Sequence, residues 1–228
     1  MITRAGDIVI KNLIDSIVRG EFMSGDRLPS LENIAKQTGT SVLSVREAVQ
    51  GLAALGILEI CHGKGVFVTE GTPIIEELLE ARRTLESYFA RMAAEHSTPE
   101  ILLELENLLK DMDRFLSTGD IEAYSEKDIE FHYAIGKAAG NRILFKTLAN
   151  IRNLLQYQLH TVNRVPNIIQ RSTIRHWEVF KAIQKKEPER ARTWMWQHIT
   201  ETIETWKQDV APLQQKKNEN QAIHNQVT

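Results

Sequence analysis

Residues 30–68 read SLENIAKQTGTSVLSVREAVQGLAALGILEICHGKGVFV, and this stretch decides the N-terminal fold. Ser30 is placed to N-cap a short helix over LENIAKQTG, which Gly39 ends. Ser41 caps a second helix over residues 41–56, with Val42, Val45, Val49, Leu52 and Leu55 as its apolar stripe and Gly56 as its stop. Two short helices joined by a tight Gly-Thr-Ser turn predict a helix-turn-helix. Residues 57–68 carry β-branched and aromatic side chains on both sides of HGKG, which predicts a hairpin with a glycine-flexible tip. On the N-terminal side, DIVIKNLIDSIV (7–18) sets its apolar residues mostly three and four apart, the spacing of an amphipathic helix that Gly20 is placed to end. Three helices and a hairpin make a winged helix-turn-helix over residues 1–70, and Gly71 and Pro73 mark a linker at 71–73.

Beyond the linker the pattern changes. From residue 74 the next seventy positions hold four glycines or prolines, Pro99, Gly119, Gly136 and Gly140, and no strand alternation. Helices are expected near 74–96, 99–117, 120–139, 141–163, 167–186 and 188–210, with breaks at Ser97/Pro99, Thr118/Gly119/Asp120, Gly140/Asn141, Pro166 and Pro188. The expected fold class is therefore mainly α: the winged module followed, over 74–212, by an all-α antiparallel helical bundle. Residues 213–228 are polar and aperiodic and are expected to be a disordered tail.

Composition narrows the classes of function. The 228 residues are 42% hydrophobic and 25% charged with a net charge of -2, ordinary globular proportions that exclude collagen-like, disordered and disulfide-stapled chains. The apolar stretch near the N-terminus is broken by Lys11, Asn12 and Asp15, and no run approaches a membrane span, so a cytoplasmic protein with no membrane partner is expected. Cys61, the single cysteine, reads as a small buried thiol. Residues 1–70 hold seven Lys/Arg against eight Asp/Glu, so DNA binding by this module depends on where a few cations sit. Ser30, Ser41, Ser44 and Arg46 are the candidates around the second helix, which in a helix-turn-helix enters the major groove. His62, Gly63, Lys64 and Gly65 are the candidates at the wing tip. The alternative for Arg46 is a surface ion pair with Glu32 or Glu47.

In the second half, Asp128 and His132 stand four apart and share one helix face, forming a two-ligand clip. His176 and His198 each lie on a separate expected helix among apolar neighbours. Brought together in a bundle core, these four would suit a divalent ion such as zinc, nickel or manganese. Taken singly, a histidine on an apolar helix face is more often a hydrogen-bonded core residue than a ligand. Trp177, Trp194, Trp196 and Trp206 flank the later histidines and read as core or dimer filler.

Two resemblances add to this. The elements GD-RLPS, A-K-Q-TG-S, VREAV..L..LG and G-K-G-V-F-V closely resemble the DNA-binding domain of the GntR family of bacterial transcription regulators over residues 4–69. The resemblance implies a homodimer reading a palindromic double-stranded DNA operator. The chain departs from the common family pattern at Glu32 and Val42, where members often carry arginines, so Arg46 alone remains of three. The D-x-x-x-H clip with its later histidines, the phrase DIEFHYAI followed by AAGN, and EARRTLE resemble the FCD domain of the fatty-acid-regulator-like branch of that family. This implies that Asp128, His132, His176 and His198 bind a metal, zinc foremost, whose coordination a small carboxylate effector completes: a sugar acid, a hydroxy acid or a dicarboxylate. It also directs Arg82 to the effector, against the alternative of a surface cation paired with Glu86 or Glu80. Arg152, Asn153 and Tyr157, along one helix, are further pocket candidates, whereas His96 and His160 read as structural or solvated. The expected function is a ligand-responsive regulator. The competing reading, a metal-dependent hydrolase or lyase using the same Asp/His set, lacks a nearby general base such as His-Glu-x-x-His provides.

Overall fold

The computed structural model describes residues 5–18, 21–54, 56–69, 74–150, 162–163, 165 and 167–210. The chain divides into two compact units between Ile74 and Ile75.

The first unit contains α1 (Ala5–Val18), α2 (Leu31–Thr38), α3 (Val42–Ala54) and the antiparallel strands β1 (Leu58–Cys61) and β2 (Gly65–Val68). Ser30 caps α2 by accepting from Asn33 N at 3.3 Å, and Gly39 ends it at φ 65°, a left-handed conformation that costs glycine little. Val9, Leu13 and Ile14 of α1, Ile34 and Ala35 of α2, and Val45, Ala48, Val49 and Leu52 of α3 form the core with Leu58 and Val68 of the strands. Each large aliphatic side chain withdrawn from water here contributes about 1.5–3 kcal/mol before chain entropy is charged against it. Leu58 pairs with Val68 and Cys61 with Gly65 across the hairpin. Cys61 is half-buried, not the buried thiol expected, because β1 leaves the core as it runs toward the tip. Gly65, at φ 124°, lies under the Arg27 side chain, where an added Cβ would come within 2.7 Å of Arg27 Nε. Arg27 itself bridges to Phe67.

The second unit, among its described residues, is entirely helical: α4 (Ile74–His96), α5 (Pro99–Thr118), α6 (Ile121–Ala138), α7 (Arg142–Asn150), α8 (Ile168–Gln184) and α9 (Pro188–Thr205). Thr98 and Asp120 cap α5 and α6 through their side chains, Asn141 Oδ1 accepts from Leu144 N at the start of α7, and Pro99 and Pro188 occupy first-turn positions where no N–H is needed. α5 packs on α6 and α8, and α8 on α9, around Phe89, Leu105, Leu109, Met112, Phe131, Ile135, Val179, Ile183, Met195 and Ile199.

Three expectations need correction or restriction. The last helix is not continuous over 188–210: from Trp206 to Val210 the chain widens into a π-helical turn that carries both of these bulky residues into the core. Of the four tryptophans, Trp206 is the fully buried one. Trp196 is exposed with the Arg83 guanidinium 4.4 Å over its ring, Trp194 lies 5.2 Å from that of Arg175, and Trp177 donates to Asp113. The helix expected over 141–163 is seen as α7. Arg152, Asn153, Tyr157 and His160 lie outside the described residues, as do the linker 71–73 and the tail 213–228.

Candidate functional site

Three helices bring the sequence-predicted metal ligands together. α6 projects Asp128 and His132 inward from successive turns, α8 adds His176 and α9 adds His198, all of them buried. His132 Nε2 lies 3.2 Å from His176 Nε2, which lies 3.1 Å from His198 Nε2. Asp128 Oδ1 stands 3.2 Å from His132 Nε2 and 3.4 Å from His176 Nε2, and it has no hydrogen-bond partner among the described residues. Three clustered imidazole nitrogens, two of them beside an orphaned carboxylate oxygen, are poorly satisfied by one another, since shared protons cannot serve every pair. The nitrogens of His132, His176 and His198 lie within 4.8 Å of one another, so the three could hold one divalent cation of the zinc, nickel or manganese type, with the Asp128 carboxylate beside two of them.

The electrostatics follow from burial. Burial favours the neutral imidazole and takes His176 down to about 3; it takes His198 well below the usual histidine range, with His176 and His132 reinforcing it. Burial also opposes ionisation of Asp128, but His176 and His132 outweigh it and hold the carboxyl well below its ordinary value. In His132 the cost of burial is overcome by Glu86 and Asp128, so its pKa rises.

Glu86, which the sequence offered only as a partner for Arg82, is the group that ties the network together. Its Oε2 lies 2.5 Å from His132 Nδ1, while Oε1 accepts from Arg82 Nε at 2.7 Å. Burial again works against the charge, yet Arg82 and His132 keep Glu86 ionised, its pKa lowered to about 2. With Glu86 Oε2 beside Nδ1, the ring of His132 turns Nε2 toward the other candidate ligands. Asn163 holds the far side of Asp128, donating to Oδ2 at 3.4 Å and to Ser125 Oγ at 2.9 Å. No periodicity marks Asn163, which lies between helices. Arg82 is not a surface cation: it is fully buried, and the alternative drawn from the sequence is corrected on that point although the Glu86 partner was named. His96 is exposed, with Nδ1 3.3 Å from Ala139 O, and borders an open cleft of about 640 Å³ with Tyr88, Asn141, Arg142 and Lys146. That cleft shares no residue with the ligand set, and the converging donors, not the cleft, define the site.

In the first unit Arg46 is exposed on α3, and no carboxylate lies within ion-pair distance of it among the described residues. Glu32 feels its charge nonetheless: backbone and Ser30 hydrogen bonds foremost, then Arg46 and Lys36, hold that carboxyl below its usual value. Ser41 Oγ accepts from Ser44 N at 3.1 Å, capping α3, and pairs with Ser44 Oγ at 2.9 Å, so both hydroxyls are engaged. His62, Gly63 and Lys64 are exposed in the turn between the strands, with Gly65 at its edge. Arg27, which sequence reasoning passed over, is exposed beside them and adds a second cation to the wing.

Comparison with known proteins agrees with both units. Residues 6–68 match the bacterial regulatory proteins of the gntR family and residues 77–201 match the FCD domain. The Uxu operon regulator of Haemophilus influenzae is 30% identical over 219 residues, an overlap of 86% of this chain and 78% of that protein. The HTH-type transcriptional regulator LutR of Bacillus subtilis is 26% identical, covering 81% and 93%. The HTH-type transcriptional repressor NanR of Cronobacter sakazakii is 28% identical, covering 94% and 88%. Among solved structures, E. coli McbR/YncC shares the fold with a TM-score of 0.69 at 24% identity, covering 91% of this chain and 99% of that one. No described helix is long and apolar enough to cross a membrane. A helix-turn-helix with its wing, followed by a helical unit matching the FCD domain, places this chain in the GntR family of transcription regulators, DNA-binding proteins and not enzymes.

Proposed function

We propose that this protein is a cytoplasmic, ligand-responsive repressor that binds a palindromic operator as a homodimer and senses a small carboxylate at a metal centre in its FCD domain. The observation that carries the reading is the clustering of Nε2 of His132, His176 and His198, with Asp128 Oδ1 beside the first two. Support for repression comes from relatives such as the NanR repressor. The cation, zinc foremost, supplies Lewis-acid coordination for the effector carboxylate when bound. The chain's own residues do the rest. Glu86 orients His132, Asn163 orients Asp128, and Arg82, in the same buried network, offers the positive charge an acidic effector requires in a site closed to water. Arg152, Asn153 and Tyr157 complete the proposed pocket. Ser30, Arg46 and the wing residues His62, Gly63, Lys64 and Gly65 form the proposed DNA surface, joined by Arg27. Regulation requires that the effector favour one of two arrangements of the DNA-binding domains, transmitted through the linker at 71–73.

The test is a thermal-shift screen of sugar acids, hydroxy acids and dicarboxylates against metal-loaded and chelator-treated protein. A stabilising acid whose effect vanishes with the metal, and which changes operator affinity, is the expected result. An acid that stabilises both forms equally would remove the metal from sensing. Unfolding on chelation would assign it a structural role instead.

A further inference from the structure

The geometry of α3 points to Leu43 as a specificity-determining residue that reads a thymine methyl group in the major groove. The inference rests on α3 being the DNA-reading helix. At 100° per residue, the core side of α3 is set by Val45, Ala48, Val49 and Leu52, and the opposite side carries Leu43, Arg46, Glu47 and Gln50, all exposed. Leu43 is 63% exposed and lies in the first turn, the part of a recognition helix that approaches base edges.

The other groups of that turn are committed elsewhere. The hydroxyls of Ser41 and Ser44 bond to each other, and Ser41 also caps the helix. Val42 is half-buried, and no cation precedes Arg46 on α3. What the turn presents outward is therefore an isobutyl group. A single exposed leucine on a protein surface is ordinary. This one stands a turn before Arg46, on the side that meets the groove, and thymine is the base that offers a methyl group there. Contact with Leu43 removes both apolar groups from water, and a cytosine at that position would present a bare C5 edge instead. A first turn without arginines, which left the operator sequence open, thus acquires a readout of its own.

Duplexes enriched from a random DNA pool by the full-length wild-type protein supply the probe. Each thymidine of an enriched duplex is then replaced singly by deoxyuridine, which removes the methyl group and nothing else. The expected result is one position at which wild-type binding weakens about fourfold, the effect of one buried methyl-sized group. Leu43→Ala, a substitution at an exposed site by a strong helix former, should fold normally and bind the thymidine and deoxyuridine duplexes alike at that position. Wild-type protein indifferent to every replacement, or a Leu43→Ala protein that still discriminates, overturns the assignment. Arg46→Ala separates the two levels. If Arg46→Ala abolishes enrichment while deoxyuridine has no effect, Leu43 alone is wrongly assigned; if the wild type enriches nothing, or Arg46→Ala changes nothing, α3 is not the reading helix and Leu43 falls with it.

Discussion

The two units treat their polar groups in opposite ways. In the DNA-binding unit the candidate side chains stand on exposed faces of α3 and the wing, apart from the core that holds the helices together. In the FCD unit Arg82, Glu86, Asp128, His132, His176 and His198 are themselves core, each buried and each within reach of another. An exposed reading face can exchange residues at little cost in stability, which is how a winged helix can carry Glu32 and Val42 where arginines are common and still fold. A buried network has no such freedom, because replacing one member leaves its neighbours buried without the charge or polar group they face.

Substitutions should break this contrast or sharpen it. The largest effect is expected from Glu86→Ala, which takes its carboxylate from both the Arg82 guanidinium and the His132 ring; removing one partner of a buried ion pair costs about 3–5 kcal/mol. Chemical denaturation measures it, and a loss below about 1 kcal/mol would mean the network is not built as described. His176→Ala should abolish retention of about one divalent ion per chain, read by metal analysis of the purified protein. Undiminished metal content in that variant would discard the site. Arg46→Ala should weaken operator binding about tenfold or more, with a shallower salt dependence and an unchanged melting temperature. A fall in melting temperature with DNA affinity retained would turn Arg46 into a packing residue and blur the contrast between the units. The smallest effect belongs to Ser41→Ala, a lost N-cap worth about 1 kcal/mol of stability. Here denaturation and DNA titration together decide whether the hydroxyl serves the helix, as its hydrogen bonds indicate, or the operator.

Much of this was legible in the sequence, for identifiable reasons. Helix boundaries were, because Ser30, Asp120, Gly39, Gly119, Pro99 and Pro188 act locally on one or two backbone groups. The clustering of the four candidate residues was, because Asp128 and His132 four apart must share a face and the FCD resemblance named the two distant histidines. Glu86 and Asn163 were not, since what they do depends on which helices become neighbours, and no spacing along one helix encodes that. The π turn at Trp206 escaped as well: periodicity continued past it, and the extra residue in the turn is set by what the core can accommodate. Leu43 was passed over because sequence reasoning sought polar groups for DNA, and the exposure of an apolar side chain is visible only once the opposite face is buried.

The contact between Gly65 and Arg27 bears on how such regulators could be recombined. The wing tip takes its shape from a residue without a side chain because the arginine of a loop nearly forty positions earlier occupies that space. Hairpin and loop are thus one interchangeable part. A chimera that transplants residues 58–68 alone would bring a tip with nothing fitted against it, or a larger residue driven into Arg27. One that carries residues 25–28 along moves both cations and the turn together, and it is this composite that should transfer the contribution to operator preference proposed for the wing from one family member to another.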